Sequence, residues 1–154
     1  MRPEFLRNRR GNRGGAAVEF AIAVPMLVLM LLGATDFARV FYAGVQVDNA
    51  AGTGAFCGAQ NLIEAHMFTA MQQAALNDAK DLPKATATAT QWCDCPNNPG
   101  TKVDCITEKT CGGYGPPRVY AQTQVQNSFN TIVQYAGIPA EPIGLSQTAY
   151  MRVQ

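Results

Sequence analysis

Four of the five cysteines lie close together, at Cys93, Cys95, Cys105 and Cys111. Thiols clustered in this way can form disulfide bonds or bind a metal ion. The C-x-C and C-x5-C spacings lack the C-x2-C pairs of common structural zinc sites, so we predict disulfides and no metal. Cys93 and Cys95 are too close in sequence to pair comfortably with each other. Two pairings therefore stay open: 93–111 with 95–105, or 93–105 with 95–111.

Few other residues offer chemistry. Cys57 could be a buried thiol, an exchange partner for the cluster or an intermolecular link. His66 is the only histidine and has no nucleophile beside it, so we interpret it as a surface or packing residue. Three acidic residues flank the cysteines and are interpreted as solvated loop residues: Asp94, Asp104 and Glu108. Because phosphate-loop, HExxH and GxSxG motifs are also missing, we predict no enzymatic activity and no cofactor.

Charge is scarce and unevenly distributed along the 154 residues. Only 15% of the residues are charged, against about 25% in typical globular domains, which argues against a disordered tail and against a nucleic-acid partner. Residues 1–13 nevertheless carry five arginines and a single glutamate. A basic segment before an apolar one is typical of a membrane topology signal, with the basic end in the cytoplasm.

An apolar segment follows these arginines. From Gly15 to Thr35 the only charged residue is Glu19, and residues 20–34 are entirely apolar. At a rise of about 1.5 Å per residue, a helix from Gly15 to Thr35 spans roughly 30 Å, enough to cross the core of a bilayer. We predict a transmembrane helix over 15–35. A cleavable secretory signal peptide is the alternative, but Leu32 stands where its cleavage site needs a small residue.

Glu19 is the unexpected residue in this segment. A carboxylate costs about 2.5–3.5 kcal/mol at mid-membrane and less near the end of a helix. It could reach the lipid headgroups and interact with the positive end of the helix dipole. Its surroundings favour a specific role, because Gly14, Gly15 and three small or branched apolar residues precede it and Phe20 follows it.

This arrangement resembles the signal of the type IV pilin superfamily, in which prepilin peptidase cleaves after a glycine and leaves a glutamate fifth in the mature chain. Cleavage between Gly14 and Gly15 would place Glu19 at that position. Phe20, the small residues before it and the proline in the apolar run are similar to the Tad (tight adherence) branch. Residues 10–60 resemble the TadE-like minor pseudopilins, although many type IV pilins have phenylalanine where Gly15 stands.

The resemblance implies a structural role in a Tad/Flp-type pilus or a related secretion apparatus, serving adhesion and surface attachment. The implied partners are prepilin peptidase, other pseudopilins, the major fimbrial subunit, the inner-membrane assembly platform and the lipid bilayer. The implied location is the bacterial inner membrane, with one span, a cytoplasmic N-terminus and an extracytoplasmic C-terminus. In such an assembly Glu19 of one subunit would neutralise the new amino terminus of its neighbour, because a close pair of opposite charges offsets their desolvation.

Residues 36–82 are predicted to form a helical stem and a second, amphipathic helix. The glycines of residues 50–60 either soften or break the stem, or allow close packing against another subunit or against the same chain. The second helix is predicted over Asn61–Leu82, with Asn61 as its cap and Pro83 as its end. Its predicted core stripe contains Ile63, Met67, Ala70, Met71 and Ala74.

Strand-like alternation begins near residue 83. Segments 86–93, 118–125 and 143–153 are rich in Thr, Val, Ile and Tyr. Residues 96–100 and 112–117 have turn composition, and 125–137 either extend the second strand or form a short helix.

Together these elements predict an α+β, pilin-like fold. A long N-terminal transmembrane helix continues into a helical stem, which packs on a small antiparallel sheet with a disulfide-stapled loop. The predicted domains are a leader removed on processing (1–14), a transmembrane helix (15–35), the helical stem with the second helix (36–82) and an extracytoplasmic β domain (83–154).

Two other classes of function compete with the pseudopilin. An uncleaved single-pass anchor presenting a disulfide-stapled binding domain needs neither cleavage after Gly14 nor Glu19, whereas a pseudopilin needs both. A small enzyme would need an activity that is lost when His66 or an acidic loop residue is changed.

Overall fold

The computed structural model describes residues 13–60, 63–132 and 142–153. The chain divides into two compact units, Met1–Ala38 and Arg39–Gln154. Helix α1 extends from Arg13 to Ala59 and contributes residues to both units. The second unit also contains a 3-10 turn (Glu64–His66), helix α2 (Phe68–Asp78) and strands β1 (Thr86–Cys95), β2 (Asn98–Val103), β3 (Arg118–Phe129) and β4 (Ile143–Arg152).

In the first unit, the described residues form the N-terminal part of α1. Large apolar side chains of this part are exposed, including Phe20 at 67% and Met30 at 72%. Pro25 lies inside the helix, as transmembrane helices tolerate. The helix is long and apolar enough to cross a membrane, and its most apolar stretch is not buried by the described chain. It is therefore a candidate membrane anchor.

The second unit contains a four-stranded antiparallel sheet in the order β2-β1-β3-β4. This confirms the predicted antiparallel sheet and the α+β, pilin-like fold. Strand β3 continues to Phe129, so residues 126–129 extend the strand, while 133–137 lie outside the described residues.

Strand β2 was not predicted, because residues 96–100 have turn composition. The turn is shorter than expected: Cys95 pairs with Asn98, which leaves only Pro96 and Asn97 to connect the strands. Pro99 lies within β2, an edge strand, where a missing backbone N–H is tolerated.

The core lies between the helices and one face of the sheet. From α1 it contains Ala43, Val47, Ala50 and Ala51, which pack with Ala75 of α2, with Ala79 just after that helix, and with Val125 and Phe129 of β3. The guanidinium of Arg39 lies 5.0 Å from the centre of the Phe129 ring, within cation–π range. Small helical residues at this interface allow the helix backbone to approach the sheet closely.

Helix α1 passes through its glycines without a break. A Cβ added at Gly54 would lie 2.7 Å from Thr123 Cγ2, and one at Gly58 would lie 2.6 Å from Met71 Sδ. Of the alternatives left open by the sequence, these two glycines therefore serve close packing within the chain. Gly52 has no atom within 4 Å of an added Cβ, so it does not share this role.

The prediction for the second helix was wrong at both ends. Helix α2 begins at Phe68 after Met67, which provides no side-chain cap, and it ends at Asp78. The predicted cap, Asn61, lies outside the described residues. Because α1 extends to Ala59 and a 3-10 turn follows at Glu64–His66, α2 starts later than predicted. It therefore turns a different face toward the core than the predicted stripe. Met71 and Ala75 are buried, whereas Ile63 and Met67 are exposed.

Candidate functional site

The predicted processing residues lie in the first turns of α1. Gly14, Gly15, Glu19 and Phe20 are all exposed. A Cβ added at Gly14 or Gly15 would meet no atom within 4 Å, so packing within the described chain does not require glycine at either position. Each glycine weakens a helix by about 1 kcal/mol relative to alanine. The glycine pair therefore lowers the stability of the helix and makes no compensating contact within the described residues.

Glu19 follows one turn later on the same helix. The apolar side chains of Val18, Phe20 and Ile22 beside it are 60%, 67% and 67% exposed. Within the described residues, Glu19 has no ion-pair or hydrogen-bond partner. Glu19 is therefore a carboxylate among exposed apolar side chains.

The four clustered cysteines form two disulfides in the second unit. Cys93 is bonded to Cys105 and Cys95 to Cys111, with Cα–Cα distances of 5.3 and 5.5 Å. This is one of the two pairings that the sequence left open. Both disulfides start from the end of β1, and together they fasten the loop that follows β2 to this end of the sheet. No thiol of the cluster is left to bind zinc.

Asp94 lies between the two cysteines of β1 and is buried, which corrects its interpretation as a solvated loop residue. Arg118 Nε donates to Asp94 Oδ1 and Arg118 Nη2 donates to Oδ2, both over 2.8 Å. The backbone N–H of Gly100 donates a third hydrogen bond of 2.8 Å to Oδ2. A buried carboxylate requires such partners, because leaving it unpaired would cost several kcal/mol.

These contacts determine the charge state of Asp94. Burial alone raises the pKa of the Asp94 carboxyl. The hydrogen bonds from Arg118 and Gly100, with the positive charges of Arg118 and Arg152, outweigh burial and hold the pKa below its ordinary value. Asp94 is therefore ionised at neutral pH and serves as a structural anion.

Three aromatic residues form a cluster on the sheet face turned away from the helices. The rings of Trp92 and Tyr120 are stacked, with centres 4.4 Å apart and planes at 11°. Tyr150 meets them edge-on, at 5.8 Å from Trp92 and 6.4 Å from Tyr120. Lys102 Nζ lies 5.4 Å from the centre of the Trp92 ring.

Three other candidate residues belong neither to the disulfides nor to the aromatic cluster. Cys57 is a free, half-buried thiol on α1. His66 is exposed at the end of the 3-10 turn, and Asp104 is exposed and accepts a hydrogen bond from the Ile106 N–H. Among the described residues, no three His, Cys, Asp or Glu side chains are arranged to hold a metal ion.

Sequence reasoning missed the Asp94–Arg118 pair and the aromatic cluster. Period-two alternation alone places Trp92 and Asp94 on one face of β1, and Arg118 and Tyr120 on one face of β3. The missing information was the pairing of the strands, which sets Trp92 opposite Tyr120 and Asp94 opposite Arg118.

Fold and site together define the class of protein: α+β and pilin-like, with one candidate membrane helix and a sheet stapled by two disulfides. Residues 14–55 match the family model of the TadE-like proteins. The match confirms the resemblance to that family, which is associated with Tad pili and is structural rather than enzymatic. It lies entirely within α1 and does not include the sheet. No curated protein and no solved structure shows significant similarity to the chain.

Proposed function

We propose that the chain is a minor pseudopilin-like component needed for assembly of a Tad/Flp-type pilus or a related secretion apparatus. The observation that carries the proposal is Glu19, a carboxylate without an ion-pair partner among the described residues, set in an apolar helix within the TadE-like segment. An unpaired charge in lipid is costly, and such residues usually have a functional partner. The proposed partner is the amino terminus of a neighbouring subunit.

The proposed processing step creates that amino terminus. Prepilin peptidase would cut between Gly14 and Gly15 on the cytoplasmic side of the inner membrane and remove residues 1–14. Two features support this: the glycine pair has no packing role in the described chain, and glycine presents an unhindered peptide bond to a protease. Residues 15–35 would remain as the transmembrane helix, with the sheet outside the cytoplasm.

The part of α1 in the second unit also supports a role in assembly. The side of this part that faces away from the core exposes four large apolar residues, Phe41, Tyr42, Val45 and Phe56, which are 67%, 62%, 44% and 60% accessible. Exposed large apolar side chains at this density mark interaction surfaces. In the proposal they contact other pilus subunits, whereas the small residues on the opposite side contact the chain's own sheet.

Cleavage is tested by the mass of the purified full chain, expressed with and without a prepilin peptidase. We expect a chain that begins at Gly15 only when the peptidase is present. A Gly14→Ala variant should be processed less, and a Gly33→Ala variant, changed in the same helix away from the junction, is the matched control. An intact leader with active peptidase would instead favour the uncleaved anchor.

The role of Glu19 is tested separately by counting pili. Glu19→Gln removes the charge at nearly constant size, and Glu19→Asp keeps it. We expect both variants to be inserted in the membrane, with few pili for the Gln variant and a partial yield for the Asp variant. Normal piliation with Glu19→Gln would contradict the proposal.

A further inference from the structure

We propose that the aromatic end of the outer sheet face binds an acidic polysaccharide. The outer face is the side of the sheet turned away from α1 and α2. Its aromatic end is formed by Trp92, Tyr120 and Tyr150 with Lys102 and Arg152. The inference is independent of the proposed function, because it uses only the second unit.

The composition of the outer face excludes an ordinary apolar docking surface. The register of the strands places alternate residues of β1 (86–94), β3 (118–128) and β4 (144–152) on this face. These positions hold Thr, Ser, Gln, Gly, Trp, Tyr, Asp and Arg, and no aliphatic side chain. Protein interfaces of stable complexes have an apolar core, which this face could form only from its aromatic rings.

The aromatic rings supply a stacking surface. Cross-strand stacking of Trp92 on Tyr120 stabilises the sheet and is sufficient to explain those two residues. It does not explain Tyr150, whose side chain is 61% exposed although it touches both other rings edge-on. The C–H face of a sugar ring can stack on such an exposed ring, and sheet faces in other folds bind oligosaccharides.

The charges at this end favour an acidic sugar polymer. Lys102 lies over Trp92, and Arg152 is paired in register with Tyr120, so both cations flank the rings. Both side chains are exposed. The nearby carboxylate of Asp94 is buried and bound by Arg118, so it offsets little of this positive charge. Carboxylate or sulfate groups on a polysaccharide complement the two cations.

Polar side chains continue the surface beyond the rings. Thr90, Gln122 and Thr148 are at least partly exposed on neighbouring strands. Hydroxyl and amide groups both donate and accept hydrogen bonds, as sugar hydroxyls do. A single-stranded nucleic acid would instead require cations along its whole path, and in the described sheet they flank only the aromatic end.

The test uses the full chain in detergent micelles and the fluorescence of Trp92, which is the only tryptophan. The probes are alginate oligosaccharides, neutral dextran oligosaccharides of equal length and single-stranded oligothymidylate, with calorimetry as a second readout. We expect saturable binding of alginate that weakens as salt rises, and clearly weaker binding of both other probes. Binding of oligothymidylate or dextran as tight as that of alginate would overturn the proposal, as would no binding of alginate.

Variants locate the site. Tyr150→Ala should weaken alginate binding about tenfold, the effect of losing one stacking platform. Lys102→Gln with Arg152→Gln should remove most of the salt dependence. Gln126→Ala, on the same face but toward the other end of β3, should leave binding unchanged. Circular dichroism checks that each variant is folded, and unaltered affinity in a folded Tyr150→Ala protein would refute the site.

Discussion

Arg118 binds the carboxylate of Asp94 through two parallel hydrogen bonds of 2.8 Å each. Asp94 lies between Cys93 and Cys95, the two cysteines from which both disulfides start. The ion pair therefore joins the start of β3 to the same end of β1 that the disulfides cross-link to the loop after β2. Covalent and ionic contacts hold this end of the sheet together.

Replacing Arg118 should strongly destabilise the second unit. Arg118→Ala leaves the buried Asp94 carboxylate without its main partner, and we expect the free energy of unfolding to fall clearly. Arg118→Lys keeps the charge but not the forked geometry, so its loss should be smaller. Urea unfolding followed by Trp92 fluorescence measures both. Equal losses of unfolding free energy for the two variants would mean that a positive charge at position 118 does not stabilise the protein without the forked geometry of arginine.

Acid should remove the contribution of the Asp94–Arg118 ion pair to the free energy of unfolding. The native pKa of Asp94 lies below its ordinary value, so the unfolded chain binds the proton more readily. The stabilisation is complete above the unfolded pKa of about 3.9 and is lost as the pH falls through the native pKa. The stability advantage of the wild type over Asp94→Asn should thus be constant from pH 5 to 7 and shrink below about pH 4. An advantage that stays constant down to pH 2 would contradict this assignment.

Gly52 and Gly54, two residues apart in α1, should respond in opposite directions to replacement by alanine. Gly54→Ala places a Cβ 2.7 Å from Thr123 Cγ2 and 3.0 Å from the backbone oxygen of Met71, and this overpacking should cost about 1–3 kcal/mol. Gly52→Ala meets no atom within 4 Å and should stabilise the helix by up to about 1 kcal/mol. Thermal unfolding of the two variants compares them directly. A higher melting temperature for Gly54→Ala would show that α1 does not approach the sheet this closely.

The disulfide pairing can be mapped without reduction. Cys93 and Cys95 remain on one peptide after cleavage at lysine, so the denatured chain must also be cut on the N-terminal side of Asp94. We expect linked peptides containing Cys93 with Cys105 and Cys95 with Cys111. Peptides that link Cys93 to Cys111 would select the other pairing.

Removing one disulfide should lower stability without removing the fold. Cys93→Ser with Cys105→Ser should reduce the free energy of unfolding by about 3 kcal/mol, the chain-entropy value for a loop of this size. Cys57→Ser is the matched control, because Cys57 forms no disulfide, and it should change stability much less. Urea unfolding under non-reducing conditions measures both.

The sequence predicted the features that depend on local pattern. Apolar length predicted the N-terminal helix, and alternation predicted β1, β3 and β4, because these patterns follow from the periods of helix and strand. Glu19 was found as the lone carboxylate of the apolar segment, and the family resemblance then predicted a role for it and for the glycine pair; the TadE-like match includes Gly14, Gly15 and Glu19.

Features that depend on contacts distant in sequence could not be predicted. The choice between the two disulfide pairings required the β1–β2 hairpin, whose turn is only Pro96 and Asn97. Burial of Asp94 required Arg118, which is 24 residues away. The start of α2 was missed because Asn61 is a suitable cap residue, while the length of α1 decides where the next helix can begin.

The bond between Cys93 and Cys105 also has a mechanical consequence. A tensile load along the backbone crosses directly from one sulfur to the other and bypasses residues 94–104. Without the bond, these residues could be pulled out to an extended length of roughly 36–40 Å. Under traction, this part of the molecule behaves as an inextensible link for as long as its sulfurs stay oxidised.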